Sequence, residues 1–397
     1  MHLNFIKNTV LLFVLTLLSC RNQSNSHAQT PLSVGAQQTE SYLPILKNKH
    51  IGIVANQTSV IFKEEGYTHL VDSLLSLNIA VKKVFAPEHG FRGTADAGEY
   101  VKDGIDVGSG VPIVSLYGAN KKPDANMLNG LEVIIFDVQD VGARFYTFLS
   151  TLHFIMETCA ELGITVLVLD RPNPNGHYVD GPILDLNHSS FVGMHPVPIV
   201  HGMTVGEYAK MINGEGWLSG SVQCDLKVIP VENYTHQTVY ELPIKPSPNL
   251  PNAKAINLYP SLCLFEGTNV SMGRGTELQF QIFGSPFLEG SDYNFEFIPT
   301  PNVGAKYPKY QAKVCKGMNL NDYPSLSQIE LKWLIDAYQH TKNKDDFFIP
   351  FFTKLVGNKL LQEQIENGWT ADEIRESWKT DLERYKLLRA PYLLYPL

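Results

Sequence analysis

Apolar residues follow two spacings along the first half of this chain. Short unbroken runs end in turn residues: "HIGIVAN" (50–56), "AVKKVFAP" (80–87), "VPIVSLYG" (111–118), "LEVIIFDVQD" (131–140) and "ITVLVLDRPNPNG" (164–176). Each run predicts a buried strand. Between them, "THLVDSLLSLN" and "YTFLSTLHFIMETCAELG" place apolar residues at helical spacing, and Gly163 closes the second helix. The runs are apolar throughout instead of alternating with polar positions. That predicts an α/β fold around a mostly parallel sheet covered on both faces.

From about Phe191 the texture changes. "HPVPIVHGMTVGEYAKMIN" predicts a strand and then a helix, with Thr204 as its cap and Glu207 completing a capping box. "LPIKPSPNLPNAKAINLYPSL" carries five prolines and sets a domain boundary near residue 255. The expected division is a catalytic domain over 43–255 and a smaller C-terminal α/β domain over 256–397, the latter ending in a polar, surface-type helical region from Gln362 to Leu388.

The N-terminus reads differently. Lys7 precedes an apolar run from Val10 to Leu18, shorter than the ~20 residues a spanning helix needs. Residues 1–19 are expected to be a secretory signal. Its end, "LLSC", resembles a bacterial lipoprotein signal, which implies lipidation at Cys20; the alternative is an ordinary signal peptide cut a little later. Polar residues 20–42 predict a flexible tether. The expected location is exported and lipid-anchored, periplasmic or outer-membrane associated, touching a membrane only through that lipid.

A formal net charge of −8 and the absence of a basic block exclude nucleic acid and an anionic membrane surface as partners. Cys159, Cys224, Cys263 and Cys315 are far apart with no CxxC, which argues against a thiolate zinc site and leaves any disulfide unassigned. His153 lies on an apolar helical face and reads as a core histidine.

Polar residues gather just past the predicted strands: Asn56–Gln57, Glu88–His89, Asp137 to Asp140, and Asp170–Arg171–Asn173. In open α/β sheets that is where ligands bind. No GxGxxG, GxxxxGK[ST], HExxH or GxSxG is present, so dinucleotide, P-loop, zincin and esterase chemistries are excluded, and no cofactor or metal is expected. A divalent-cation site on Asp137 and Asp140 stays as an alternative without a third ligand. In "PEHG", Pro87 and Gly90 hold Glu88 just beyond the strand, as a general acid or as a structural partner of Arg92. Glycoside hydrolysis needs a second carboxylate, for which Glu99, Asp106, Asp137, Asp140 and Glu266 are candidates. Arg144 or Arg274 suits a carboxylate of the ligand, Tyr146 suits a sugar face, and His89, Arg92, Asp140, Asp170, Asn173, Asn249 and Glu266 are further candidates for binding hydroxyls.

The stretches "FAPEHGFRG", "FDVQDVGARFYTF", "VLDRPNPNG", "DGPIL", "SFVGMHPVPIVHGMTVGEYA", "SPNLP" and "LFEGTNVSMGRGTE" resemble, in this order, the NamZ-type exo-β-N-acetylmuramidases. The resemblance runs from about residue 45 to the C-terminus. It implies a Rossmann-like N-terminal domain, a smaller C-terminal domain and an active-site cleft between them. It also implies release of N-acetylmuramic acid from non-reducing ends of peptidoglycan fragments such as MurNAc-GlcNAc and muropeptides. Glu88 matches the family's candidate catalytic glutamate, and Glu99 is the first choice for the second carboxylate. The competing expectations are a non-catalytic muropeptide-binding lipoprotein and a metal-dependent hydrolase.

Overall fold

The computed structural model describes residues 31–92, 103–118 and 120–397. In chain order they form α1 (Thr39–Leu46), β1 (His50–Ala55), β2 (Val60–Phe62), β3 (Tyr67–His69), α2 (Leu70–Ser76), β4 (Ala80–Ala86), β5 (Gly104–Ile105), β6 (Pro112–Ser115), α3 (Ala125–Leu128), β7 (Val133–Asp137), α4 (Phe148–Leu162) and β8 (Thr165–Leu169). There follow α5 (Val205–Gly214), β9 (Leu226–Ile229), α6 (Ala253–Leu262), β10 (Ile282–Ser285), β11 (Phe295–Phe297), β12 (Cys315–Asn319), α7 (Leu331–His340), α8 (Phe351–Val356), α9 (Leu360–Glu366) and α10 (Ala371–Arg389).

The main sheet has seven strands in the order β5-β6-β4-β1-β7-β8-β9. Every pairing in it is parallel except that of β5 with β6. All five residues of β7 and of β8 are buried, which is why those segments read as solid apolar runs. Strand β1 pairs with β4 on one side and β7 on the other, so the chain order reverses at β1. The loops leaving β4 and β7 therefore border the crevice where such sheets bind ligands.

The smaller C-terminal domain carries a three-stranded antiparallel sheet, β10-β12-β11. Its packing demands glycine: a Cβ on Gly317 would stand 1.8 Å from the Phe283 carbonyl oxygen. One hydrophobic core runs from Val54 and Phe136 through Phe265 and Phe283 to Trp378, and Ser33–Leu397 form one compact unit.

Two local expectations meet different fates. Thr204 caps α5, accepting from the Glu207 N–H while the Thr204 N–H donates to Glu207 Oε2, the reciprocal bonding of a capping box. "HPVPIV", expected as a strand, forms only isolated bridges of Val200 with Ala143 and Asp180. Pro196 and Pro198 supply no N–H for a ladder. Cys159, Cys224, Cys263 and Cys315 are all free and buried, and His153 is buried against His195, Nδ1 to Nε2 at 2.9 Å. Among the described residues no helix is long and apolar enough to cross a membrane.

Candidate active site

Strand β4 delivers its chain into Pro87-Glu88-His89-Gly90, a turn closed by the Gly90 N–H donating to the Pro87 carbonyl at 3.0 Å. His89 adopts φ 70° and Gly90 φ 78°, both left-handed. A buried histidine held in that region is strained backbone of the kind that collects at functional sites. On the other side of β1, the loop after β7 ends at Thr147, the residue that opens α4. Thr147 makes no side-chain cap bond to its own helix. Its hydroxyl instead donates to Glu88 Oε2 at 2.6 Å. The positive end of the α4 dipole thereby faces the Glu88 carboxyl.

Glu88, His89 and Thr147 line a cavity of about 570 Å³ together with residues of the C-terminal domain. Phe145, Tyr146, Tyr259 and Phe280 give it an aromatic wall, with Tyr259 5.4 Å from Phe145, 5.8 Å from Tyr146 and 5.0 Å from Phe280. Glu266 and Arg274 also line it and form an ion pair, Nη2 to Oε1 at 2.7 Å. Asn249 lines it as well, anchored by donation from Nδ2 to the Gly304 carbonyl at 2.7 Å. Lys309, behind this pair, donates to the carbonyls of Thr268 and Val270, and burial pulls its amine down to about 8.

Six of the residues singled out from sequence thus share one cavity: Glu88, His89, Tyr146, Asn249, Glu266 and Arg274. The others have different occupations. Arg144 is buried, and its guanidinium donates to four carbonyls, those of Pro182, Val197, Leu355 and Val356. It fastens α8 to the main domain and has no place on the cavity wall; burial lowers it to about 10. Arg92 is bonded through two nitrogens to Asp106 at 2.7 and 3.2 Å, and neither residue is on the described cavity lining. Asp170 accepts from Thr204, Tyr395 and the N–H groups of Arg171 and Gly206, tying α5 and the C-terminus to the end of β8. Asn173 bonds Met203 and Asn175. Asp137 accepts both Arg171 nitrogens, at 2.6 and 2.9 Å, which leaves it ill suited to a cation.

Asp140 lies one layer behind the cavity. Its Oδ2 accepts from the Gly142 N–H at 2.7 Å, and His201 Nε2 stands 3.9 Å away. Burial raises Asp140 to about 7 and lowers His201 to about 3. Burial also pushes the Tyr146 phenol well up, with the Asp140 and Glu88 carboxylates adding to it. Gly142 at φ 79° packs so tightly that a Cβ would meet Asn173 Oδ1 at 2.2 Å. Glu99 and Cys20 lie outside the described residues.

Sequence reading passed over Thr147, Lys121, Phe191 and Lys354, all on the cavity wall. Thr147 sat inside a quoted stretch, at a helix start following a strand end. Lys354 carried no local signal, because α8 reaches the cavity only through long-range packing.

Comparison with known proteins bears on this site. Residues 51–254 match the family model "Exo-beta-N-acetylmuramidase NamZ, N-terminal" and residues 257–395 its C-terminal counterpart. The peptidoglycan β-N-acetylmuramidase NamZ of Bacillus subtilis (strain 168) is 36% identical over 374 residues, covering 89% of each chain. Two solved structures of DUF1343 family proteins from Bacteroides fragilis NCTC 9343 superpose on this chain. One is 51% identical with a TM-score of 0.85, the other 26% identical with a TM-score of 0.75; each alignment covers 92% of this chain and 99% of the other.

Proposed function

This chain belongs to the exo-β-N-acetylmuramidase NamZ family, and on that premise we propose that it is a glycoside hydrolase releasing N-acetylmuramic acid from the non-reducing ends of peptidoglycan fragments. The observation that carries the reading is the placement of Glu88 and Glu266 on one cavity at the sheet's switch point. Hydrolysis of a glycosidic bond uses two carboxyl groups, one giving a proton to the departing oxygen and one activating water or attacking the anomeric carbon.

Glu88 is the proton donor in this scheme. The Thr147 hydroxyl fixes its Oε2, leaving the group oriented at the end of a rigid strand. Glu266 is the second carboxylate. Among the other described candidates, Asp106 is bound by Arg92 and Ser109, Asp137 by Arg171, and Asp140 is absent from the cavity lining, while Glu99, the first choice from the resemblance, lies outside the described residues. Arg274 holds Glu266 by one oxygen, Oε1, on the same cavity as Glu88. The edge-to-face rings of Tyr146, Tyr259 and Phe280 supply apolar surface against which a pyranose ring packs. The exported, lipid-anchored location, with Cys20 as the modified residue, is part of the same proposal; it puts the enzyme in the compartment of its substrate.

The test is incubation with a MurNAc-GlcNAc disaccharide followed by mass analysis. Free N-acetylmuramic acid and N-acetylglucosamine support the proposal. Binding of the disaccharide without cleavage would replace it with a capture role, and restoration of activity by a divalent cation after EDTA would favour metal-assisted hydrolysis.

A further inference from the structure

The charges on the cavity wall do not balance. Among the described residues, Glu88 and Glu266 face Lys121, Arg274 and Lys354. The Glu266–Arg274 pair cancels internally. Lys121 and Lys354 then stand against Glu88 alone, one formal cation in excess, and neither forms an ion pair with a described residue. The N-terminus of α4, opening at Thr147, adds potential of the same sign. An excess of cations on the described lining is a local feature in a chain of formal net charge −8.

The two lysines are also placed differently from ordinary surface lysines. Lys121 lies with its ammonium 4.4 Å from the centre of the Phe191 ring, and Phe191 in turn packs 6.3 Å from Tyr117; all three line the cavity. That stacking orients the stem and keeps the charge at the wall. Lys354 sits in the last turn of α8, which Arg144 clamps from behind through the Leu355 and Val356 carbonyls. The arginines that sequence suggested for this task are both committed elsewhere, Arg144 to four carbonyls and Arg274 to Glu266.

We propose that Lys121 and Lys354 are specificity-determining residues that bind an anionic substituent of the sugar, the lactyl carboxylate that separates muramic acid from glucosamine. The identity of the sugar rests on the hydrolase reading above. The recognition itself does not require turnover and is tested by binding.

The experiment measures the affinity of the full chain for N-acetylmuramic acid and for its lactyl methyl ester by calorimetry. The wild type is expected to favour the acid by on the order of tenfold, the loss typical of a charge-assisted hydrogen bond. That preference should shrink as salt rises from about 0.05 to 0.5 M. In the Lys121→Met/Lys354→Met double variant the acid and the ester should bind alike, with the ester's affinity unchanged as the control for folding. Equal binding of acid and ester by the wild type, or an undiminished preference in the double variant, overturns the proposal, as does failure of the wild type to bind either. Discrimination in binding together with no cleavage of the disaccharide would sink the hydrolase reading and leave this one standing.

Discussion

Thr147→Val removes one hydroxyl and almost nothing else. Thr147 is buried, and valine keeps its branched shape. The usual cost of changing a helix-opening threonine is about 1 kcal/mol from the lost cap. Here that bond does not exist, because the hydroxyl points at Glu88 instead of the helix N–H groups. Global stability should therefore move by less than about 1 kcal/mol. The lost bond is a short one, 2.6 Å, to a carboxyl oxygen. A neutral hydrogen bond, the kind a proton-donating carboxyl accepts, contributes about 0.5–1.5 kcal/mol, which corresponds to a fall in kcat of roughly 2- to 12-fold. Thr147 acts through Glu88, so it is a positioning residue. The assay follows release of a chromogenic aglycone from a muramide, giving kcat and KM separately, alongside a denaturant melt. The expected pattern is a lower kcat, a KM within about twofold, an unchanged melt, and recovery by Thr147→Ser, which restores the hydroxyl. A loss of kcat matched by an equal loss of stability, or no rescue by serine, would refute the reasoning.

Arg144→Met should destabilise the fold by about 3 kcal/mol: four charged hydrogen bonds at about 1.5 kcal/mol each, less about 3 kcal/mol for the burial cost implied by a guanidinium lowered to about 10; urea unfolding measures it. Asp140→Asn tests the buried carboxyl raised to about 7. Between about pH 4 and 7 the folded protein holds that proton and the unfolded chain does not, so wild-type stability falls relative to the variant as pH rises through this window, by on the order of 4 kcal/mol at most; paired melts across pH 4–8 read the difference, and a flat difference would contradict the burial. Glu266→Gln should lower kcat by about 100-fold or more with Arg274 left in place, measured on the same muramide, whereas an unchanged kcat would return the second-carboxylate role to a residue outside the described segments.

How much of this was legible in the sequence depends on whether the signal was local. Strands β1, β7 and β8 announced themselves because a parallel strand buried on both faces has few polar positions to interrupt it, and β4 did so through its buried end, Val84 to Ala86, past two lysines. Strands β10 and β12 did not, since they are short and carry glycines that tight packing imposes from outside. The polar rim of the sheet was visible for the same reason as the strands. Its internal division was not: Glu88 and Arg144 look equally functional as letters, yet one borders the cavity and the other is consumed by the carbonyls of Pro182, Val197, Leu355 and Val356. Sequence shows which polar groups reach the rim; it does not show which of them the backbone claims. Glu266 and Arg274 were separate candidates in the sequence, and their pairing on the same cavity as Glu88 came only with the fold.

The most direct measurement is turnover of the MurNAc-GlcNAc disaccharide by wild type and Glu88→Gln, with products resolved by mass at matched concentrations of folded protein. Loss of the proton donor should slow release of N-acetylmuramic acid by about 100- to 10,000-fold while disaccharide binding persists. Release at near wild-type rate by the glutamine variant would contradict the account.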